Sequence, residues 1–106
     1  MSVSTALEID VPQDVMAEVR RKNAQVEFDA FREAVIDHFP DAQEIRIFIR
    51  EDPDEEDRNW VVVQATIARR IDKDEFLRRH SRFYDDLVGR RPHVAQPICV
   101  LSLRQV

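Results

Sequence analysis

The chain is expected to fold as a single α+β domain over residues 1–106, a two-layer sandwich in the order β-α-β-β-α-β. Three observations point there. Residues 44–50 alternate with period two, and after a polar loop residues 60–68 supply a second strand, the pattern of a half-buried hairpin. Residues 13–39 carry an apolar stripe at three- and four-residue steps. A second helical stripe follows a marked start signal at Asp72.

The elements follow in order. In residues 4–11, Leu7, Ile9 and Val11 alternate with Glu8 and Asp10, which predicts a short first strand. Pro12 suits the opening position of a helix, and Asp14 favours its positive end. The stripe then runs through Met16, Val19, Ala24, Phe28, Phe31, Val35 and Phe39. One unbroken helix over 13–38 would be about 39 Å long at 1.5 Å per residue. That overshoots neighbouring strands, so a bend or break is expected around Lys22–Gln25, with Asn23 at its centre. Pro40 closes the element by forcing the preceding residue out of the helical region.

In the hairpin, Ile45, Ile47 and Ile49 face one side, and Glu44, Arg46, Phe48 and Arg50 face the other. Placing the isoleucine and valine rows together sets Ile47 opposite Val63, Phe48 opposite Val62 and Arg50 opposite Trp60. The last of these pairs is within reach of a cation–π contact. Asp72 and Glu75 form a D-x-x-E capping box, with Ile71 and Phe76 as its hydrophobic staple. Phe76, His80, Phe83 and Leu87 make the stripe of the second helix, and Gly89 stands where a left-handed residue would end it. Residues 97–104 form a last strand with Cys99, Leu101 and Leu103 on its core face.

This order resembles the ferredoxin-like plait, in which two helices cover one face of a four-stranded antiparallel sheet. The alternative is a three-stranded α-β-β-α-β domain in which residues 4–11 are an N-terminal arm. In either case one sheet face is left open, and Phe48, Trp60, Val62, Ile98 and Val100 point towards it among Arg46, Arg50 and Arg104. Such a face is more apolar than a solvated one needs to be, so these five residues are the expected interface, through which two chains or a protein partner pack.

The segment IRIFIREDPDEEDRNWVVVQATI, followed by DEFLRRHSRFYDDLV, resembles in layout the hairpin and second helix of the dimeric α/β-barrel proteins, over about 60 residues. That resemblance implies pairing of two plaits through their sheets. Some members of the superfamily are cofactor-free monooxygenases or haem-handling enzymes. This chain lacks the glycine usual before their hairpin, and its tryptophan starts a strand rather than ending one. The resemblance therefore implies architecture and assigns no catalytic residue.

Composition excludes several function classes. Sixteen basic residues against twenty-one acidic give a net charge of −5, so nucleic acid is not the expected partner. A single cysteine, Cys99, precludes an internal disulfide. The opening residues lack the basic start and apolar run of a leader, and no apolar stretch approaches a membrane span, so a cytoplasmic location is expected.

Chemistry-bearing residues are few. The run Glu51-Asp52-Pro53-Asp54-Glu55-Glu56-Asp57 holds six carboxylates but lacks the glycine and length of a calcium loop, and reads as a solvated hairpin tip. The histidines His38, His80 and His93 have no metal-ligand spacing, and neither a metal nor a cofactor is expected. His80 and Tyr84, one helical turn apart, are the candidate lining of a ligand pocket. Arg78, Arg79, Arg82, Arg90 and Arg91 are the candidate anion contacts, through which RNA would bind. With no nucleophile, phosphate loop or dinucleotide motif, the leading expectation is a non-enzymatic oligomerisation or protein-binding module that uses the open sheet face. The alternative is a dimeric α/β-barrel enzyme or small-ligand binder with a pocket near His80 and Tyr84.

Overall fold

The break expected near Asn23 divides the first helical region into α1 (Gln13–Arg21) and α2 (Gln25–His38). The computed structural model describes residues 11–56, 58–90 and 97–105. Asn23 has φ 53°, a left-handed conformation that asparagine tolerates better than most side chains. The backbone there remains hydrogen-bonded: Asn23 N–H donates to Arg20 O and Ala24 N–H to Val19 O, at 3.0 and 2.9 Å. The kink lets two short helices follow a sheet that one long rod would overshoot.

Strands β1 (Ala42–Glu51) and β2 (Asn59–Ile67) form the antiparallel hairpin. Its register pairs Ile47 with Val63, Phe48 with Val62 and Arg50 with Trp60, as the alternating rows predict. A bulge between Ala42 and Glu44 absorbs one residue, so that Ala42 and Ile45 are both buried although three apart. Helix α3 (Lys73–Arg90) then runs back along the sheet, and β3 (Cys99–Gln105) completes it in the order β1-β2-β3. At the start of α3, Asp72 Oδ1 accepts the Glu75 N–H at 2.8 Å, which is one half of the capping box. The reciprocal half is replaced: the Glu75 carboxylate turns outwards to Arg69.

The architecture is thus α+β, in the order α-α-β-β-α-β among the described residues, with a three-stranded mixed sheet. An antiparallel sheet was expected throughout, but β3 runs parallel to β2. The reason is the crossover: a single helix between two strands returns the chain to its starting end, so the next strand repeats the direction of the first. A plait would place its first strand between these two, and here they are hydrogen-bonded directly to each other. Residues 4–10 of the predicted first strand lie outside the described residues, and Val11 is not in a strand. Gly89 also differs from expectation: it stays within α3, and no glycine among the described residues has positive φ.

All three helices pack on one face of the sheet. The rows Ile49–Val61–Cys99 and Ile47–Val63–Leu101 face them. Phe28, Phe31, Phe39, Phe83 and Leu87 are fully buried, whereas Met16 and Ala24 of the first stripe and Phe76 and His80 of the second are half-buried. Phe83 is the hub of the helix layer, with ring centroids 5.1 Å from Phe31, 5.0 Å from Tyr84 and 6.1 Å from Phe39.

Candidate protein-binding face

Alternation along the strands carries every second side chain to the sheet face turned away from the helices. Three rows cross it: Phe48–Val62–Val100, Arg46–Gln64–Ser102 and Glu44–Thr66–Arg104, with Arg50 beside Trp60 at the hairpin end. Val62 lies at the centre and is 1 % exposed, yet it does not belong to the core cluster beneath the helices. Phe48, Trp60 and Val100 are half-buried, and Arg46, Arg50 and Arg104 are exposed. Gln64 Nε2 donates to Ser102 Oγ at 3.2 Å, which ties the two strands together across the polar row.

Besides the buried Val62, two more of the five expected interface residues sit differently from Phe48 and Val100. Ile98 precedes β3 and joins the buried core cluster. Its carbonyl accepts Val61 N–H at 2.8 Å, and its own N–H donates to the Glu27 carboxylate. Trp60 is held by the hairpin loop: its Nε1–H donates to Asp52 Oδ2 at 3.1 Å. The cation over its ring is Arg58, at 4.3 Å from the centroid, and not Arg50 as strand register alone suggested. Arg58 leaves the loop directly before β2 and reaches the ring from its own strand end. The N–H groups of Asp54 and then Trp60 hold the Asp52 carboxyl below its ordinary value.

The same loop bounds a cleft of about 630 Å³, lined by Glu51, Asp52, Asp54, Glu55 and Glu56 with Arg21 and Arg58. Its basic wall is partly spoken for, because Arg21 forms a bidentate pair with the buried Glu18. That pairing, the largest cause, holds the Glu18 carboxyl below its ordinary value. No group of three or more His, Cys, Asp or Glu side chains with metal-binding geometry occurs among the described residues.

His80 and Tyr84 lie elsewhere, on α3, and neither lines this cleft. The His80 ring stacks on Phe76 at 6.0 Å and tilts against Tyr84 at 4.8 Å, forming a ladder at four-residue spacing. Tyr84 Oη accepts Leu101 N–H at 3.1 Å, so the tyrosine fastens the helix to the outer edge of β3. The structure does not bring the two side chains together as a hydrogen-bonded acid–base pair.

The candidate anion contacts divide into two kinds. Arg79 is engaged: it donates to Asp41 Oδ2 at 3.0 Å and lies 4.9 Å from the Phe39 ring centroid. Arg90 pairs with Asp86 and Asp37, each at 2.7 Å. His38 Nε2 lies 2.7 Å from Asp86 Oδ2, joining α2 to α3. The arginine is the main reason that the Asp86 carboxyl is held below its ordinary value, and Arg79 does the same for Asp41. Arg78 and Arg82 are exposed and form no ion pair among the described residues. Arg91 lies outside the described residues.

Three buried polar side chains among the described residues, Glu18, Glu27 and Thr66, were missed in sequence, and Glu27 is the one that anchors a strand. Glu27, on α2 and 4 % exposed, accepts the N–H groups of both Ile98 and Cys99 at 2.9 and 3.0 Å. With Tyr84 it occupies the outer edge of β3, where an unpaired strand edge would otherwise invite another strand. The available signal was position: Glu27 falls on the Ala30, Phe31, Ala34 side of its helix, where a carboxylate has no solvated reason to be. No helix among the described residues is long and apolar enough to cross a membrane. Comparison with protein-family models, with curated proteins and with solved structures found no match, so what this face does rests on its own geometry.

Proposed function

We propose that the domain is a non-enzymatic protein-binding module whose contact surface is the sheet face opposite the helices, with a second copy or another protein as its partner. The observation that carries the reading is the row Phe48–Val62–Val100, three apolar side chains side by side across all three strands on the face away from the core. Val62 is already shut off from solvent, but Phe48 and Val100 on either side of it keep part of their apolar surface in water, and a contact surface draws its affinity from burying that remainder. The half-burial of Phe48 and Val100 makes the patch shallow, which suits a modest, exchangeable contact.

The test pairs two measurements. Sedimentation velocity is run on the wild type over a wide concentration range, and again on a Phe48→Asp, Val100→Asp variant whose fold is verified by circular dichroism. Self-association that the variant loses supports the self-pairing form. A strict monomer removes that form, and a face that also retains no peptide from a display library removes the reading altogether.

A further inference from the structure

The whole chain is acidic, yet its charges are segregated. The carboxylates Glu51, Asp52, Asp54, Glu55 and Glu56 gather around the hairpin cleft. The open sheet face instead carries Arg46, Arg50 and Arg104, all exposed, against Glu44 and, at the hairpin end where it holds Trp60, Asp52. None of these three arginines forms an ion pair among the described residues, and Arg46 leans on the Phe48 ring with its guanidinium 5.9 Å from the centroid. Fixed positive charge therefore frames the apolar row, and the combination selects among partners.

We infer that the natural occupant of this face is an acidic, apolar segment of a different protein. The inference rests on the protein-binding reading above and adds the partner's chemistry. A second copy docked sheet against sheet would bring like charges together in the desolvated contact, which disfavours the symmetric pair. A second copy docked by its acidic tip would answer the charge but not the apolar row. Among its described residues the tip has only Pro53 to offer, and two of its carboxylates are committed, Asp52 to Trp60 and Glu55 to Arg58. Such head-to-tail contacts would also propagate without closing. A segment with two or more carboxylates spaced among aliphatic side chains meets both demands. Its apolar residues cover Phe48 and Val100, which flank the already buried Val62, and its carboxylates reach Arg46, Arg50 and Arg104, where arginine binds carboxylate in bidentate fashion.

The experiment is a selection of random dodecapeptides displayed on phage against the immobilised full chain, followed by fluorescence anisotropy of the strongest peptide. Enriched peptides are expected to carry net negative charge with interspersed Leu, Ile or Phe. Binding is expected to weaken about tenfold or more in Arg46→Glu, Arg104→Glu, a surface change that preserves the circular dichroism spectrum, and to weaken further with added salt. Neutral or basic peptides that Phe48→Asp, Val100→Asp abolishes would overturn the charge assignment and leave the protein-binding face standing. Peptides indifferent to both variants, or no enrichment at all, would overturn both. A dimer seen by sedimentation and lost in Phe48→Asp, Val100→Asp would replace the foreign segment with a second copy. Salt-dependent binding of labelled oligouridylate that Arg46→Glu, Arg104→Glu removes would assign the face to nucleic acid and overturn the inference.

Discussion

Replacing Glu27 tests whether the buried carboxylate anchors the last strand. Its Oε2 accepts two backbone donors, Ile98 N–H and Cys99 N–H, at 2.9 and 3.0 Å, and the residue is 4 % exposed. A buried donor left without a partner costs about 1–3 kcal/mol, so two give about 2–6 kcal/mol for Glu27→Ala. Water entering the space left by the side chain relieves part of this, so the expected loss is about 3 kcal/mol. That is a large share of the roughly 5–15 kcal/mol that holds a domain of this kind together. Glu27→Gln keeps an acceptor oxygen in place and loses only the charge-assisted part, about 1–2 kcal/mol. Urea denaturation followed by far-ultraviolet circular dichroism measures both values. Amide exchange at Ile98 and Cys99 gives the local readout, with both amides exchanging faster in the alanine variant. A loss under about 1 kcal/mol in Glu27→Ala, or a glutamine variant as damaged as the alanine one, would refute the anchoring role.

Three further outcomes follow from the same structure. Phe83→Ala removes the ring that Phe31, Phe39 and Tyr84 pack against, and is expected to cost about 3–5 kcal/mol in the same denaturation assay, far more than Phe76→Ala on the half-buried flank of α3. Asn23→Val places a branched side chain at φ 53° and is expected to lose about 1–2 kcal/mol, while Asn23→Gly stays within about 0.5 kcal/mol of the parent or exceeds it. Equal behaviour of the two variants would count against the left-handed kink. The third outcome concerns acid. Asp41 is held below its ordinary value of 3.8 mainly by hydrogen bonding from Arg79, so its contribution is fully present above that value and is lost as pH falls through the lowered one. Thermal midpoints of wild type and Asp41→Asn should therefore differ at neutral pH and converge in acid. A gap that stays constant down the titration would show that the Arg79 pairing does not stabilise the fold.

Much of the architecture is legible along the chain because it depends on local rules. Period-two alternation in residues 44–50, laid against the valine row of residues 60–68, sets not only the hairpin but its register, since any one-residue slip would turn Ile47 or Val63 to the wrong face. The kink at Asn23 follows from length against sheet dimensions, and the start of α3 follows from an aspartate able to accept a backbone N–H three residues on. The stripe through Phe28, Phe31, Val35 and Phe39 is buried because helical geometry leaves it no other place once the helix packs.

Other features depend on which distant residues meet, and alternation carries no such information. The pairing of β3 beside β2 is one: residues 97–104 read as a strand of correct facing, but their neighbour and direction are set by where α3 delivers the chain. Gly89 is another, since a residue suited to a left-handed cap also continues a helix whose last residue, Arg90, is pinned by Asp86 and Asp37. The basic cluster on α3 loses Arg79 and Arg90 to partners from α2 and the turn after it, because a carboxylate brought alongside in space outcompetes solvent for a guanidinium. The open sheet face joins the two kinds of knowledge. Strand alternation determined which side chains share it. Tertiary packing decided that Ile98 leaves it for the core, that Trp60 is held by Asp52 and Arg58, and that Arg46, Arg50 and Arg104 remain exposed around the apolar row, because only the folded chain determines which charges find a carboxylate and which do not.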